Sequence, residues 1–145
     1  MKIKKSLILI LLCFVSMSIS ATDSKPLTIN NLPPKAQLFI QNYFPETDFV
    51  SIEKFKKNKI YQITSEEGWK FTFAKDGSWI DIDCNNDRVP SSLVPSSILN
   101  KVAKHYGTAV KVVKITVTSR GYYYVKLSNY IKVAFDKHFN KVDFK

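Results

Sequence analysis

Residues 71–82 of this chain reappear, altered in detail but not in pattern, 62 positions later, and that duplication restricts the fold more than any other feature. The stretch Phe71-Thr72-Phe73-Ala74-Lys75-Asp76-Gly77-Ser78-Trp79-Ile80-Asp81-Ile82-Asp83-Cys84 is two alternating runs joined through Asp76-Gly77. That dipeptide tolerates the positive φ angles of a tight hairpin turn. Moved by 62, Phe73 falls on Phe135, Lys75 on Lys137, Ile80 on Val142 and Asp81 on Asp143. Upstream, the same shift carries Ile40 onto Val102, Phe44 onto Tyr106, Tyr61 onto Tyr123 and Ile63 onto Val125. One structural unit is written twice. A unit of about 50 residues is marginal alone, so the two copies are expected to share a core or a continuous sheet.

Each copy opens with a helical signal. Leu32-Pro33-Pro34 precedes Ala36, Phe39, Ile40 and Tyr43, whose spacings of three and four put them on one helical face. Pro45 stops that helix. Val94-Pro95-Ser96-Ser97 opens the second, with Ile98, Val102 and Tyr106 on one face and Gly107 as terminator. Strand-like runs follow at 49–56 and 59–65, then 110–118 and 122–128, each pair joined by a short turn. The region around Ile52 and Ile115 is out of phase by one residue, which predicts a bulge in one of the first strands. Turn spacing leaves no room for crossover helices, so the sheet is antiparallel. The predicted fold is α+β: two tandem helix-plus-four-strand repeats, 32–84 and 94–145, joined by a linker at 85–93 and forming one compact domain. The helices should cover the face carrying Tyr61, Ile63, Phe71, Phe73, Ile80, Ile82, Tyr123, Val125, Ile131, Val133, Phe135, Val142 and Phe144.

The beginning of the chain lies outside that core. Met1-Lys2-Ile3-Lys4-Lys5 is a basic n-region, and Ser6 to Ile19 is an apolar run of 14 residues, short of the roughly 20 that span a bilayer. Ser18-Ile19-Ser20 sets small residues at −3 and −1, which predicts a signal peptide over 1–20 with cleavage before Ala21. Leu12 ahead of Cys13 argues against a lipid anchor. The chain reads as exported by a bacterium, periplasmic or secreted, with a loose lead-in over 21–31. Without 1–20, 19 basic groups face 12 acidic ones, a net charge near +7. Such a balance favours acidic proteins, anionic surfaces or polyanionic glycans as neighbours, and a Lys-rich solvated surface would give the same number. Nucleic acid is a poor partner for an exported chain. Cys84 is then the lone cysteine, so no internal disulfide forms, and it reads as a small buried apolar residue.

Residues alternating with the core set should line an open face: Gln62, Thr64, Lys70, Thr72, Trp79, Asp81 and Asp83, then Tyr122, Tyr124, Lys126, Tyr130, Lys132, Lys141 and Asp143. Trp79, Tyr122, Tyr124 and Tyr130 are the unusual members. Large rings among Lys and Asp suit protein-binding surfaces, although strand propensity and cross-strand pairing would also place rings there. No catalytic constellation emerges. Asp81-Ile82-Asp83-Cys84-Asn85-Asn86-Asp87 imitates the start of a calcium loop but has Asn86 where Gly belongs and Ser92 where a bidentate Glu belongs. His105 and His138 have no nucleophile or carboxylate at a diagnostic spacing. No metal site and no cofactor are expected.

Leu32-Pro33-x-x-Ala36-x-x-x-Ile40-x-x-Tyr43-Phe44-Pro45, Tyr61-x-Ile63, Gly77-x-Trp79-x-x-Ile82-Asp83-Cys84 and Val89-Pro90 together resemble the PepSY-like, β-lactamase-inhibitor-like domains exported by Bacteroidetes. The resemblance covers nearly all of 32–145. It departs at Gly107, where a helix-ending proline would recur, and at His138-Phe139, which replaces the Asp-Gly turn. The resemblance implies helices on one side of an antiparallel sheet and, by analogy with the inhibitor, an open concave face that holds a target enzyme. The expectation is an exported, non-enzymatic binding module, of which an inhibitor of a periplasmic hydrolase is one form. Trp79, Tyr122, Tyr124 and Tyr130 would be anchors, with Asp81 on the same face, and Lys126 and Lys132 would steer an acidic protein. The alternative is a small-ligand or envelope-glycan binder using a groove between the repeats.

Overall fold

A computed structural model describes residues 25–142. The expected signal peptide, the first residues of the lead-in, Asp143 and Phe144 lie outside the described residues.

Each copy starts with a short 3₁₀ turn, Ile29–Asn31 or Ser91–Leu93, and then a helix, α1 (Pro34–Tyr43) or α2 (Ser96–Tyr106). A proline stands just before each helix, Pro33 and Pro95, in the extended conformation that leads into a first turn. Ala36, Phe39 and Ile40 of α1 and Ile98 and Val102 of α2 form the buried stripes. Phe44 ends α1 by donating its N–H to the Ile40 carbonyl at 2.8 Å. Gly107 ends α2 at φ 94°, after Lys104 and His105 in the last turn, where cations suit the helix dipole.

Eight strands follow in one antiparallel sheet whose spatial order is the sequence order. They are β1 (Phe49–Phe55), β2 (Ile60–Ser65), β3 (Lys70–Phe73), β4 (Trp79–Asp83), β5 (Val112–Val117), β6 (Tyr123–Leu127), β7 (Lys132–Phe135) and β8 (Lys141–Val142). The copies join through β4 and β5, where Ile82 pairs with Ile115. One cross-strand row, Ile52–Ile63–Phe71–Ile82–Ile115–Val125–Val133, runs through seven strands on the helix-covered face. From Ile63 to Val133 that row is buried. The helices seal it: Phe39 meets Phe73 edge-on at 5.4 Å and Phe44 packs on Phe71 at 4.5 Å. Each fully buried Phe contributes roughly 2–3 kcal/mol through burial.

Bulges and strand register correct several sequence expectations. Both first strands carry one, between Phe49 and Ser51 and between Val112 and Lys114, rather than one strand alone. The phase offset instead arises in the connections: residues 56–59 turn the first copy, whereas Thr118 N–H to the Tyr122 carbonyl closes the shorter turn 119–121 in the second. A further bulge sets Trp79 opposite Phe73 while Asp81 stays opposite Thr72. Trp79 therefore lies on the helix-covered face, packed against the core, and Ile80, the extra residue, stands outside the core cluster. At β8 the same inversion occurs. Lys141 pairs with Phe135 and Val142 with Ala134, so Val142 takes the open face in place of Lys141. Ile131, expected in the core, is exposed in the turn before β7.

Three turns in each copy hold a residue at positive φ, and these positions repeat at the same shift of 62: Lys59 and Gly121, Gly68 and Tyr130, Gly77 and Phe139. Gly77 is locked in. A Cβ there would sit 2.8 Å from the Ala36 nitrogen and 2.9 Å from the Lys35 Cβ, because this hairpin tip is pressed under the first turn of α1.

Candidate functional site: the open sheet face

Two cross-strand rows occupy the uncovered face. Glu53–Gln62–Thr72–Asp81–Thr116–Tyr124–Ala134–Val142 crosses all eight strands. Ser51–Thr64–Lys70–Asp83–Lys114–Lys126–Lys132 crosses seven. Their chemistry changes at the joint. In the first copy the face is mostly small and polar. In the second, three lysines stand side by side, and like charges directly opposite one another in a sheet are destabilising.

Lys114 is answered locally. Its Nζ lies 3.3 Å from a carboxylate oxygen of both Asp81 and Asp83, and the Thr116 hydroxyl donates to Asp81. Burial pulls the Lys114 ammonium down, but the two carboxylates outweigh it and hold the group above the ordinary lysine value. Lys126 leans over the Tyr130 ring at 5.8 Å, a cation–π contact. Lys132, directly opposite Lys126, is exposed. A shallow groove of about 700 Å³ lies over this strip, lined by Asp83, Lys114, Thr116, Tyr124, Lys126 and Lys132 among others.

Tyr130 is the least ordinary residue of the face. It holds φ 68° at the position where the first copy has Gly68, and 72% of its surface is exposed. A left-handed backbone costs a side-chain-bearing residue about 1–2 kcal/mol, and so exposed a ring recovers little of that by packing. Tyr124 is 41% exposed at the centre of the strip. Tyr122 is half-buried at the mouth of the β5–β6 turn, its N–H donated to the Thr118 hydroxyl.

The predicted set thus divides. Tyr124, Lys126 and Lys132 line the groove; Tyr130 stands outside its lining, in contact with Lys126, and Asp81 stands outside it as a counter-ion to Lys114. Trp79 is elsewhere, in a second depression of about 460 Å³ on the helix side at the junction of the copies, with Tyr123 and residues 91–96. Lys114 and Thr116 were not among the predicted site residues. Their alternation with Ile115 is a usable signal, obscured by the bulge that starts the strand.

Other candidates close on themselves. Asp87, in the calcium-like stretch, accepts from the Trp69 indole N–H at 3.1 Å. Among the described residues no group of three or more His, Cys, Asp or Glu is placed to hold a metal ion. Cys84 is buried, and burial first, then Asp83 and Asp87, pushes its thiol up to about 12, which leaves it protonated and unreactive. No helix among the described residues is long and apolar enough to cross a membrane.

The model of the PepSY-like, β-lactamase-inhibitor-like family matches residues 20–77 and again 59–142. A crystal structure of a candidate calcium-regulated periplasmic protein from Bacteroides thetaiotaomicron is 32% identical, covers 83% of this chain and 95% of its own, and superposes with a TM-score of 0.76. A candidate periplasmic protein from Bacteroides vulgatus is 35% identical over 86% of this chain and 98% of its own, with a TM-score of 0.74. A second from the same species is 30% identical over 81% and 94%, with a TM-score of 0.72. No curated protein matches.

Proposed function

We propose, from the premise that this chain belongs to the PepSY-like, β-lactamase-inhibitor-like family, that it binds a protein partner through the open sheet face of its second copy. The chain is an exported, non-enzymatic bacterial domain of the periplasmic kind that its relatives represent. One observation carries the proposal: Tyr130 is held strained and exposed beside Lys126, an arrangement folding does not require, because glycine serves the same turn in the first copy. Lys126 and Lys132 favour a partner with an acidic surface. The family's inhibitor-like description supports the finer reading that this partner is a periplasmic hydrolase, held and blocked by the sheet.

The test is affinity capture from periplasmic extract with the mature protein and a Tyr124→Ala/Tyr130→Gly variant, followed by hydrolase assays on whatever is captured. A partner held equally by both proteins overturns the reading. A second reading is favoured by the depression at the junction, where Trp79 and Tyr123 offer ring surfaces beside the hydroxyls of Ser91, Ser92 and Ser96. Rings with neighbouring hydroxyls suit a glycan or small polar ligand. Trp79 fluorescence titrated with envelope glycan fragments checks it, and an unchanged signal sinks it.

A further inference from the structure

We infer that the strip over β5, β6 and β7 recognises an extended acidic segment, specifically one with a carboxylate side chain and, two positions along, an apolar one. This deepens the docking reading above and rests on it. Lys126 and Lys132 face each other across β6 and β7, which sets their Cβ atoms about 5 Å apart. No ion pair of the described residues engages either, whereas their neighbour Lys114 is held by both Asp81 and Asp83. Two lysine side chains rising from neighbouring positions on one face can both reach a single carboxylate laid between them.

The next row along the strands is apolar at the same place. Tyr124 pairs with Ala134 and Ala134 with Val142. Ala134 is 6% exposed although it points to the uncovered side, so the strip has a small, filled floor beside the Tyr124 ring. Lys126 and Tyr124 are two residues apart on β6, a rise of about 6.8 Å. An extended ligand repeats its side chains on one face with the same rise. An acidic residue over the lysine row therefore brings the residue two further on over Tyr124 and Ala134. Tyr130 closes the lysine end, its ring against the Lys126 ammonium at 5.8 Å.

The first copy keeps only one of these parts, Lys70 in the place of Lys132, and has Gln62 in the place of Tyr124. The places of Lys126 and Ala134 are taken by Thr64 and Thr72, and that of Tyr130 by Gly68. Recognition is therefore confined to the second copy.

The experiment uses isotope-labelled mature protein and three acetylated, amidated pentapeptides: Ser-Glu-Ser-Phe-Ser, its Gln counterpart, and Ser-Ser-Glu-Phe-Ser. The first should shift backbone resonances of Tyr124, Lys126, Lys132 and Ala134. Affinity should fall at least tenfold for the Gln peptide and severalfold for the adjacent Glu-Phe peptide, whose two side chains point to opposite faces. Inorganic phosphate should compete only at much higher concentration. A Lys126→Gln/Lys132→Gln protein should lose the response while its thermal midpoint moves by no more than about 3 °C. Equal binding of the Gln or the adjacent peptide, strong competition by phosphate, or shifts outside the strip overturns the inference. Captured partners separate the two readings. Retention by the double-Gln protein with loss by Tyr124→Ala/Tyr130→Gly leaves docking standing and removes the acidic segment; retention by both removes both.

Discussion

The two copies agree where they are buried and differ where they are bare. Ile63 and Phe71 in the first answer to Val125 and Val133 in the second, and one row of side chains passes through the joint between them, where Ile82 meets Ile115. The positive-φ positions also coincide, yet glycine fills two of the three in the first copy and one in the second. Close packing constrains a core position to shape and volume, so little can change there. A solvated face has no such demand. The second copy uses that freedom for lysines and rings, and at Tyr130 it accepts backbone strain as well.

The sharpest way to break this comparison is at the third turn. Gly77→Ala should cost more than about 2 kcal/mol, since left-handed strain adds to a Cβ pressed on α1. Gly68→Ala, with open space around it, should cost only about 1 kcal/mol from strain alone. Urea unfolding of both variants measures the difference, and equal losses would mean that the contact with α1 carries no weight. Phe139, the partner of Gly77, keeps φ 64° but packs its ring on Tyr123 at 5.6 Å, and Lys101 donates to its carbonyl. The strain there is offset by contacts that Tyr130 lacks.

Next in size is Lys114→Met. It leaves Asp81 and Asp83 side by side on one strand without their cation and should cost about 1 kcal/mol, because the lysine is a third exposed and solvent screens the pair. The sign with pH follows from the raised lysine value: the stabilisation is complete below the unfolded value near 10.5 and disappears as pH climbs through the higher folded one. Denaturant midpoints of natural and variant chains should therefore converge only at the alkaline end. Convergence near neutral pH would contradict the ion-pair account.

Tyr130→Gly should then stabilise the fold by about 0.5–1 kcal/mol, the relief of left-handed strain less the extra chain entropy of glycine, while abolishing partner capture. A loss of stability would show that the ring packs for the fold rather than for a partner. Smallest of all, Lys126→Gln/Lys132→Gln should change stability by no more than about 0.5 kcal/mol, with any gain coming from relieved repulsion across β6 and β7.

Much of this architecture can be read from the chain because its signals are periodic. The shift of 62, the helical stripes closed by Pro45 and Gly107, and the alternation of Tyr61-x-Ile63 each report a repeating geometry. What could not be read is where a period slips. Nothing in Trp79-Ile80-Asp81 says that one residue is extra, and a single slip exchanges the two faces, so Trp79 turned to the core and Ile80 left it. Lys114 was hidden for the same reason. Tyr130 was legible as an exposed ring; its strain was not, since φ is set by the turn that the other copy makes with glycine.

The joint between β4 and β5 has a last consequence. Its hydrogen-bonded ladder, with Ile82 against Ile115, is of the same kind as any inside a copy, and the chain between the two strands runs through a linker and α2 rather than through the sheet. Cutting that linker and separating the halves would leave each with a naked strand at one edge of its sheet, whose amides and carbonyls want a mate. Such halves, mixed, should reassemble, and either one alone should seek a second copy of itself.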